Sequence, residues 1–78
     1  MPKITIYTTP TCTYCKMAKV FFKEHNLAYE EHNVSTDAEA REQMIKKSGQ
    51  MGVPVIEIDG QIITGFDKPG LLNILNIK

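Results

Sequence analysis

The chain has two cysteines, Cys12 and Cys15, with two residues between them. They follow an apolar run and open a predicted helix, so both thiols lie on one helical turn and can close into a small disulfide. A helix start also supplies partial positive charge, which favours a thiolate over a thiol. A thiolate is the species that attacks disulfides. The segment therefore predicts a redox centre.

Cys-x-x-Cys is also a common spacing for zinc ligands, which is the alternative interpretation. Structural zinc usually takes about four protein ligands, and the sequence has no second cysteine pair. The histidines His25 and His32 lack the usual ligand spacing to each other, and each is better explained as a solvated or helix-end residue than as a catalytic base. We therefore expect thiol chemistry, with no metal site and no bound cofactor.

A chain of 78 residues with 42% apolar residues can bury one small core, and we expect a single domain over residues 1–78. The formal net charge is zero, which gives no argument for a nucleic-acid or membrane partner. No stretch reaches the ~18 apolar residues of a membrane span, and residues 1–4 do not resemble a signal peptide. We expect a cytoplasmic monomer. A close cysteine pair in that reducing compartment is more often catalytic than structural.

The first half of the chain predicts a strand, a helix and a second strand. Alternating β-formers indicate a strand at residues 3–8. Apolar residues at spacings of three and four indicate a helix over about residues 12–25. The expected buried face of this helix comprises Cys15, Ala18, Phe21 and Phe22, and the other face carries Lys16, Lys19 and Lys23. Residues 28–33 are more polar and predict a strand at a sheet edge.

The second half predicts a helix, a hairpin and a last short helix. Thr36 and Glu39 have the spacing of a capping box for a helix over about residues 37–47. Strands are expected at residues 55–58 and 61–64, joined at Asp59-Gly60, since both of these turn positions tolerate positive φ. Asp67 is expected to cap the last helix, with Pro69 in its first turn.

The element order is therefore β-α-β-α-β-β-α. The βαβ half predicts parallel strands with a right-handed crossover, and the hairpin adds antiparallel strands. The result is an α/β fold with a four-stranded mixed sheet and helices on both faces. Cys12 then lies just past the carboxyl end of the first strand, where α/β folds place their sites.

With these elements in place, the chain resembles the glutaredoxins and the glutaredoxin-like NrdH redoxins of the thioredoxin-fold superfamily over nearly all of its length. Four segments carry the resemblance: residues 7–15, residues 48–54, Asp59-Gly60 and residues 64–67. It implies the thioredoxin fold and a dithiol–disulfide oxidoreductase of cell redox homeostasis. In that class of enzyme Cys12 would be the nucleophile and Cys15 the resolving thiol.

The resemblance also implies which residues contact the substrate or glutathione: Thr13, Tyr14, Val53, Pro54, Gly65, Phe66 and Asp67. Pro54 would follow a cis peptide bond, so that the backbone of Val53 can pair with an extended cysteinyl substrate. Gly65 and Asp67 would hold the γ-glutamyl end of glutathione as co-substrate. The implied partners are disulfide-containing proteins, together with glutathione or thioredoxin reductase as the electron source.

Three positions depart from the pattern of classical glutaredoxins. Thr13 replaces a proline, Thr8 or Thr9 replaces a lysine, and Phe66 adds bulk beside Gly65. These changes are similar to those of NrdH redoxins, which are often reduced by thioredoxin reductase, so both electron sources stay open. Some glutaredoxins without that proline bridge a 2Fe–2S cluster between two chains with the help of glutathione. A cluster carrier is therefore the alternative function, and a protein-binding adaptor is a third.

Overall fold

The computed structural model describes residues 3–76, and over this range strands and helices alternate in the order β-α-β-α-β-β-α. The elements are β1 (Ile4–Thr8), α1 (Thr13–Glu24), β2 (Glu30–Asn33), α2 (Ala38–Ser48), β3 (Val55–Ile58), β4 (Gln61–Thr64) and α3 (Lys68–Ile74). The order that the sequence predicts is confirmed.

The four strands form one mixed sheet in the order β2-β1-β3-β4. β1 and β2 are parallel, whereas β1 and β3, and β3 and β4, are antiparallel. β2 lies at an edge of the sheet, as its polar composition predicts. The central strands β1 and β3 are almost wholly buried, because helices cover both faces of the sheet.

Successive residues of a strand point to opposite faces of the sheet, and β1 therefore supplies two cores. Ile4 and Ile6 pack with Phe22 of α1 and Leu71 of α3. Tyr7 packs on the opposite face with residues that include Ala40 and Met44 of α2. The predicted thioredoxin-type architecture is confirmed, and α1 is held firmly against the sheet that positions the cysteines.

Helix α1 is flanked by Cys12 as its N-cap and His25 as its C-cap. All of its predicted core residues are buried: Cys15, Ala18, Phe21 and Phe22. Asn26 takes a φ of +55° directly after the helix, a left-handed conformation that asparagine tolerates. The predicted extent of this helix is therefore confirmed to within a residue at each end.

Short-range signals in the second half also appear as predicted. Asp59 and Gly60 have φ values of +48° and +87°, as a type I′ hairpin turn requires. The carboxylate of Asp67 accepts a hydrogen bond from the backbone N of Gly70 at 3.2 Å and caps α3. Gly70 leaves room for this cap, because a Cβ there would lie 2.6 Å from Asp67 Oδ2. Pro69 lies in the first turn of α3.

The predicted capping box of α2 is wrong. Asp37 is the N-cap, and its carboxylate accepts a hydrogen bond from the backbone N of Ala40 at 3.1 Å. Thr36 instead belongs to the turn after β2, where its backbone N and its hydroxyl both donate to the carbonyl of Asn33. Threonine and aspartate are both good N-caps, so the sequence does not distinguish them. The turn at Asn33 moves the helix start by one residue.

We expect Asp37→Ala to lower the free energy of unfolding by about 1 kcal/mol, because it removes the side chain that satisfies an exposed helix amide. Thr36→Val keeps the side-chain shape, removes only a 3.4 Å hydrogen bond, and is the matched control with a smaller loss. Urea unfolding of both variants measures the difference. A larger loss of unfolding free energy for Thr36→Val than for Asp37→Ala would show that Thr36, and not Asp37, caps α2.

Candidate active site

The two cysteines lie where β1 leads into α1. Cys12 is half-buried in the N-cap position, with extended backbone dihedrals (φ −85°, ψ 112°). Cys15 lies one helical turn further on and is completely buried. Both are free thiols in this structure. The predicted position of Cys12, past the carboxyl end of the first strand, is confirmed.

The sulfur of Cys12 faces the amino end of α1. It accepts a hydrogen bond from the backbone N of Cys15 at 3.1 Å. The backbone N of Cys12 in turn donates to the carbonyl of Thr9 at 3.3 Å, which closes the turn before the helix. A backbone N–H and a helix N-terminus both interact favourably with negative charge. The arrangement suits a sulfur that reacts as an anion.

Burial raises the pKa of the Cys15 thiol to about 12, and a hydrogen bond with the sulfur of Cys12 acts in the same direction. A backbone hydrogen bond at Thr9 and the charge of Lys19 favour the thiolate, but they do not outweigh burial. Cys15 therefore keeps its proton at neutral pH. The two sulfurs thus differ in their surroundings, and the more accessible of them is Cys12.

The segment before β3 meets the turn after β4. The peptide bond between Val53 and Pro54 is cis, as the resemblance implied. The backbone N of Gly65 donates to the carbonyl of Pro54 at 2.8 Å, and Gly65 has a φ of +78°, which glycine adopts without strain. The structure therefore brings Val53, Pro54 and Gly65 together.

An apolar groove of about 380 Å³ runs along α1 from Thr13, and Phe66 lies against it from the turn before α3. Met17, Val20 and Phe21 also line this groove. Thr13 and Phe66, which are distant in the sequence, therefore share one surface beside the cysteines.

Tyr14 and Asp67, which were also predicted to contact the substrate or glutathione, both lie exposed on the surface. The Tyr14 side chain is 61% exposed and lies on the helix turn between the two cysteines. Asp67 is exposed, but one of its carboxylate oxygens already caps α3. Their contacts with substrate stay predictions.

A second cleft of about 410 Å³ lies on the α2 side of the sheet, and neither cysteine lines it. Two pairs of polar side chains lie close together in its lining. Lys47 Nζ lies 2.7 Å from Glu57 Oε1, and His32 Nε2 lies 3.7 Å from Glu30 Oε1. This cleft offers no redox-active side chain, and we assign the active site to the cysteines.

One network beside the cysteines was not predicted from the sequence. Lys19 is half-buried, and its ammonium donates to Glu31 Oε2 at 2.9 Å. The hydroxyl of Thr8 donates to the same oxygen at 2.7 Å. The sequence predicts Lys19 on the solvated face of α1. Its spacing of four residues from Cys15 nevertheless indicates that the two residues are neighbours on the helix.

Over residues 3–76, no group of three or more His, Cys, Asp or Glu side chains is arranged to hold a metal ion. No helix in the same range is both long enough and apolar enough to cross a membrane.

A mixed four-stranded sheet with a dithiol at the start of its first helix defines a redoxin of the thioredoxin-fold class. The glutaredoxin family model matches residues 4–63, and the chain belongs to the glutaredoxin family. Membership supports a general role in thiol–disulfide oxidoreduction.

Two curated relatives are similar over most of their length. The chain is 51% identical over 65 residues to an uncharacterized glutaredoxin-like 8.6 kDa protein in the rubredoxin operon of Clostridium pasteurianum. This alignment covers 83% of the present chain and 87% of the relative. The chain is also 42% identical over 67 residues to glutaredoxin 3 of Escherichia coli K12, in an alignment that covers 86% of the present chain and 81% of the relative.

Solved structures agree with the fold. The T8A mutant of the thioredoxin-like protein BC3987 superimposes with a TM-score of 0.92 at 38% identity, over 100% of both chains. A glutaredoxin from Archaeoglobus fulgidus superimposes with a TM-score of 0.86 over 96% of this chain and 87% of its own. The second similarity, at 21% identity, shows the fold alone.

Proposed function

We propose that this protein is a dithiol–disulfide oxidoreductase that reduces protein disulfides or glutathione mixed disulfides in the cytoplasm. The observation that carries the proposal is the asymmetry of the cysteine pair. Cys12 caps α1 and is partly accessible, whereas Cys15 is fully buried and donates its backbone N–H to the Cys12 sulfur at 3.1 Å. Exchange needs one accessible thiol that attacks the substrate and a second, protected thiol that later resolves the mixed disulfide. The chain binds no cofactor in this proposal, and glutathione acts as a co-substrate.

The first step forms a mixed disulfide. The thiolate of Cys12 attacks one sulfur of the substrate disulfide, a Cys12–substrate bond forms, and the other substrate sulfur leaves as a thiolate that takes up a proton. The N-terminus of α1 and the N–H of Cys15 stabilise the attacking anion. In the same step the backbone of Val53 pairs with the substrate chain, as the resemblance implies.

The second step releases the substrate. Cys15 loses its proton to solvent, and its sulfur attacks Cys12. The Cys12–Cys15 bond forms as the Cys12–substrate bond breaks, and the departing substrate sulfur is protonated. The substrate disulfide has then gained two electrons, and the dithiol has lost them. Glutathione or thioredoxin reductase returns the protein to the dithiol.

Coupled oxidation of NADPH tests the proposal and identifies the electron source. The oxidised protein is mixed with a protein disulfide and either glutathione with glutathione reductase or thioredoxin reductase, and the loss of NADPH absorbance is followed. Turnover with either system supports the proposal and names the reductant. Absence of turnover with both, when a known redoxin is active in the same assay, would reject it.

Exposed apolar side chains along α1 and before β3 support proteins as substrates. Tyr14, Met17 and Val20 of α1 are 61%, 45% and 53% exposed, and Met51 just before Val53 is 61% exposed. Soluble proteins rarely expose apolar surface in large patches unless a partner covers it, and methionine adapts to partners of varied shape. The groove along α1 continues this surface away from the thiol.

We expect Val20→Glu to lower kcat/KM for a protein disulfide by about tenfold, because a charge would be desolvated in the contact. Reduction of a small disulfide such as cystine, which does not reach this part of α1, should fall much less. Ala38→Glu on α2, also an exposed helical position, is the control variant. Equal losses for the two substrates would show that Val20 does not contact the protein substrate.

A further inference from the structure

Lys19 lies four residues after Cys15 on α1, so the two side chains are neighbours on one face of the helix. Its ammonium does not extend freely into solvent. Glu31 Oε2 accepts a hydrogen bond from Lys19 Nζ at 2.9 Å and a second from Thr8 Oγ1 at 2.7 Å. Thr8 is itself only 2% exposed. A long, flexible side chain on the same helix face as a buried thiol is thus held in one place.

The sheet register explains why these groups meet. Glu31 of β2 is paired with Ile6 of β1, and paired residues point to the same face of a sheet. Ile6 packs against the α1 side, and Thr8 lies two positions further along the same face. Glu31 and Thr8 therefore both point towards α1, at the end of the sheet where Cys12 and Cys15 lie. The contact follows from the fold rather than from a chance surface pairing.

The charged groups around Cys15 are few. Lys19 lowers the pKa of the Cys15 thiol through its charge, and the sulfur of Cys12 acts in the opposite direction. Glu31 is the main cause of the raised pKa of Lys19, and Tyr29 acts in the same direction. The hydrogen bond with Lys19 is the main cause of the lowered pKa of Glu31, and Lys23 acts in the same direction. Lys19 is thus the side-chain cation that favours ionisation of the buried thiol.

We propose that Lys19 is a positioning residue for the resolving step: held by Glu31, which Thr8 holds in turn, its ammonium stabilises the thiolate that Cys15 becomes before it attacks Cys12. This inference rests on the proposed function. Once Cys12 is in a mixed disulfide, its sulfur carries no negative charge to oppose ionisation of Cys15. Cys15 then releases its proton to solvent, its sulfur bonds to Cys12, and the substrate sulfur leaves and is protonated. The charge of Lys19 acts on this step and not on the first attack.

A single-turnover reaction with 4,4′-dithiodipyridine separates the two steps. This uncharged disulfide releases one thiopyridone when Cys12 attacks and a second when Cys15 resolves the adduct, and both releases are followed by absorbance. Lys19→Gln is expected to slow the second release by about three- to tenfold, the range for loss of one nearby charge in a partly solvated site. The first release should change by less than about twofold.

Three variants make the test specific. Lys19→Arg keeps the charge and should preserve the second release, whereas a loss equal to that of Lys19→Gln would indicate a packing role and overturn the proposal. Lys23→Gln removes a like charge one turn further along α1 and should leave both releases unchanged. Thr8→Val removes the hydroxyl at constant shape and should fall between the parent and Lys19→Gln; a parental rate would remove Thr8 from the proposal.

The pH profile gives an independent readout. The second release should accelerate as pH rises in both the parent and Lys19→Gln, because more Cys15 is ionised. The ratio between the two should stay constant near neutral pH and disappear once Lys19 itself is deprotonated; Glu31 raises the pKa of Lys19 above its usual value. A second release that is the same with and without the ammonium would reject the inference. Absence of the first release would instead reject the proposed function.

Discussion

Cys12→Ser is expected to reduce disulfide turnover to the background rate, whereas Cys15→Ser is expected to stop the reaction at a mixed disulfide. The difference follows from the positions of the sulfurs, since Cys12 is partly accessible at the helix start and Cys15 is fully buried. Without Cys12 no sulfur meets the substrate. Without Cys15 the first attack still proceeds, but nothing inside the protein releases the adduct.

Mass spectrometry after mixing with glutathione disulfide distinguishes the two variants. Cys15→Ser should gain one glutathione, and Cys12→Ser should stay unmodified over the same time. Thr11→Ser, a conservative change at an exposed position next to Cys12, is the control and should behave as the parent. If both cysteine variants were equally inactive in a reaction that needs only one thiol, the roles given to the two sulfurs would be wrong.

The strands and the hairpin were predictable because their signals are local. Alternating β-formers mark β1, and Asp59-Gly60 fits a turn in which both residues need positive φ, as the structure shows. β2 was recognised as an edge strand from its polarity alone. The placement of Cys12 followed from topology, since β1 and α1 are consecutive and the loop between them is short. These features depend on few residues at a time.

The N-cap of α2 and the role of Lys19 were not predictable in the same way. Thr36 and Asp37 are both competent caps, and a backbone turn at Asn33 decides between them. Lys19 looks like a solvated lysine on α1 until β2 is placed beside β1. Only the strand register brings Glu31 to its ammonium. Contacts between elements distant in the chain carry information that helical periodicity does not.

Together these contacts explain how a small fold separates the two thiols. The N-cap position exposes the Cys12 sulfur to substrate, and the packing of α1 on the sheet buries Cys15. Burial protects the resolving thiol from outside reagents, but it also disfavours the anion that must attack Cys12. A backbone hydrogen bond at Thr9 and the charge of Lys19 both offset part of this cost.

Raising the pH above about 9 is expected to destabilise the folded dithiol because of Cys15. Burial raises the pKa of this thiol from 9.0 to about 12. Between these values the unfolded chain has lost the proton and the folded chain still holds it, so the stability that this group provides is complete below pH 9 and is lost as pH rises towards 12. One pKa unit corresponds to about 1.4 kcal/mol, which gives a loss of up to about 4 kcal/mol.

Urea unfolding of a matched pair measures this effect. Cys12→Ser and the double variant Cys12→Ser/Cys15→Ala both lack the first thiol, so their pH dependence differs through Cys15 alone. Over about pH 8 to 10.5 the single variant should lose more stability than the double variant, by up to about 2 kcal/mol, because burial still raises the pKa of Cys15 although the sulfur of Cys12 no longer adds to the shift. Lys19 and Lys47, whose pKa values are raised by Glu31 and Glu57, are present in both proteins and cancel. Parallel curves for the two variants would mean that Cys15 ionises as easily in the folded protein as in the unfolded chain, and the buried thiol would then need no help from Lys19.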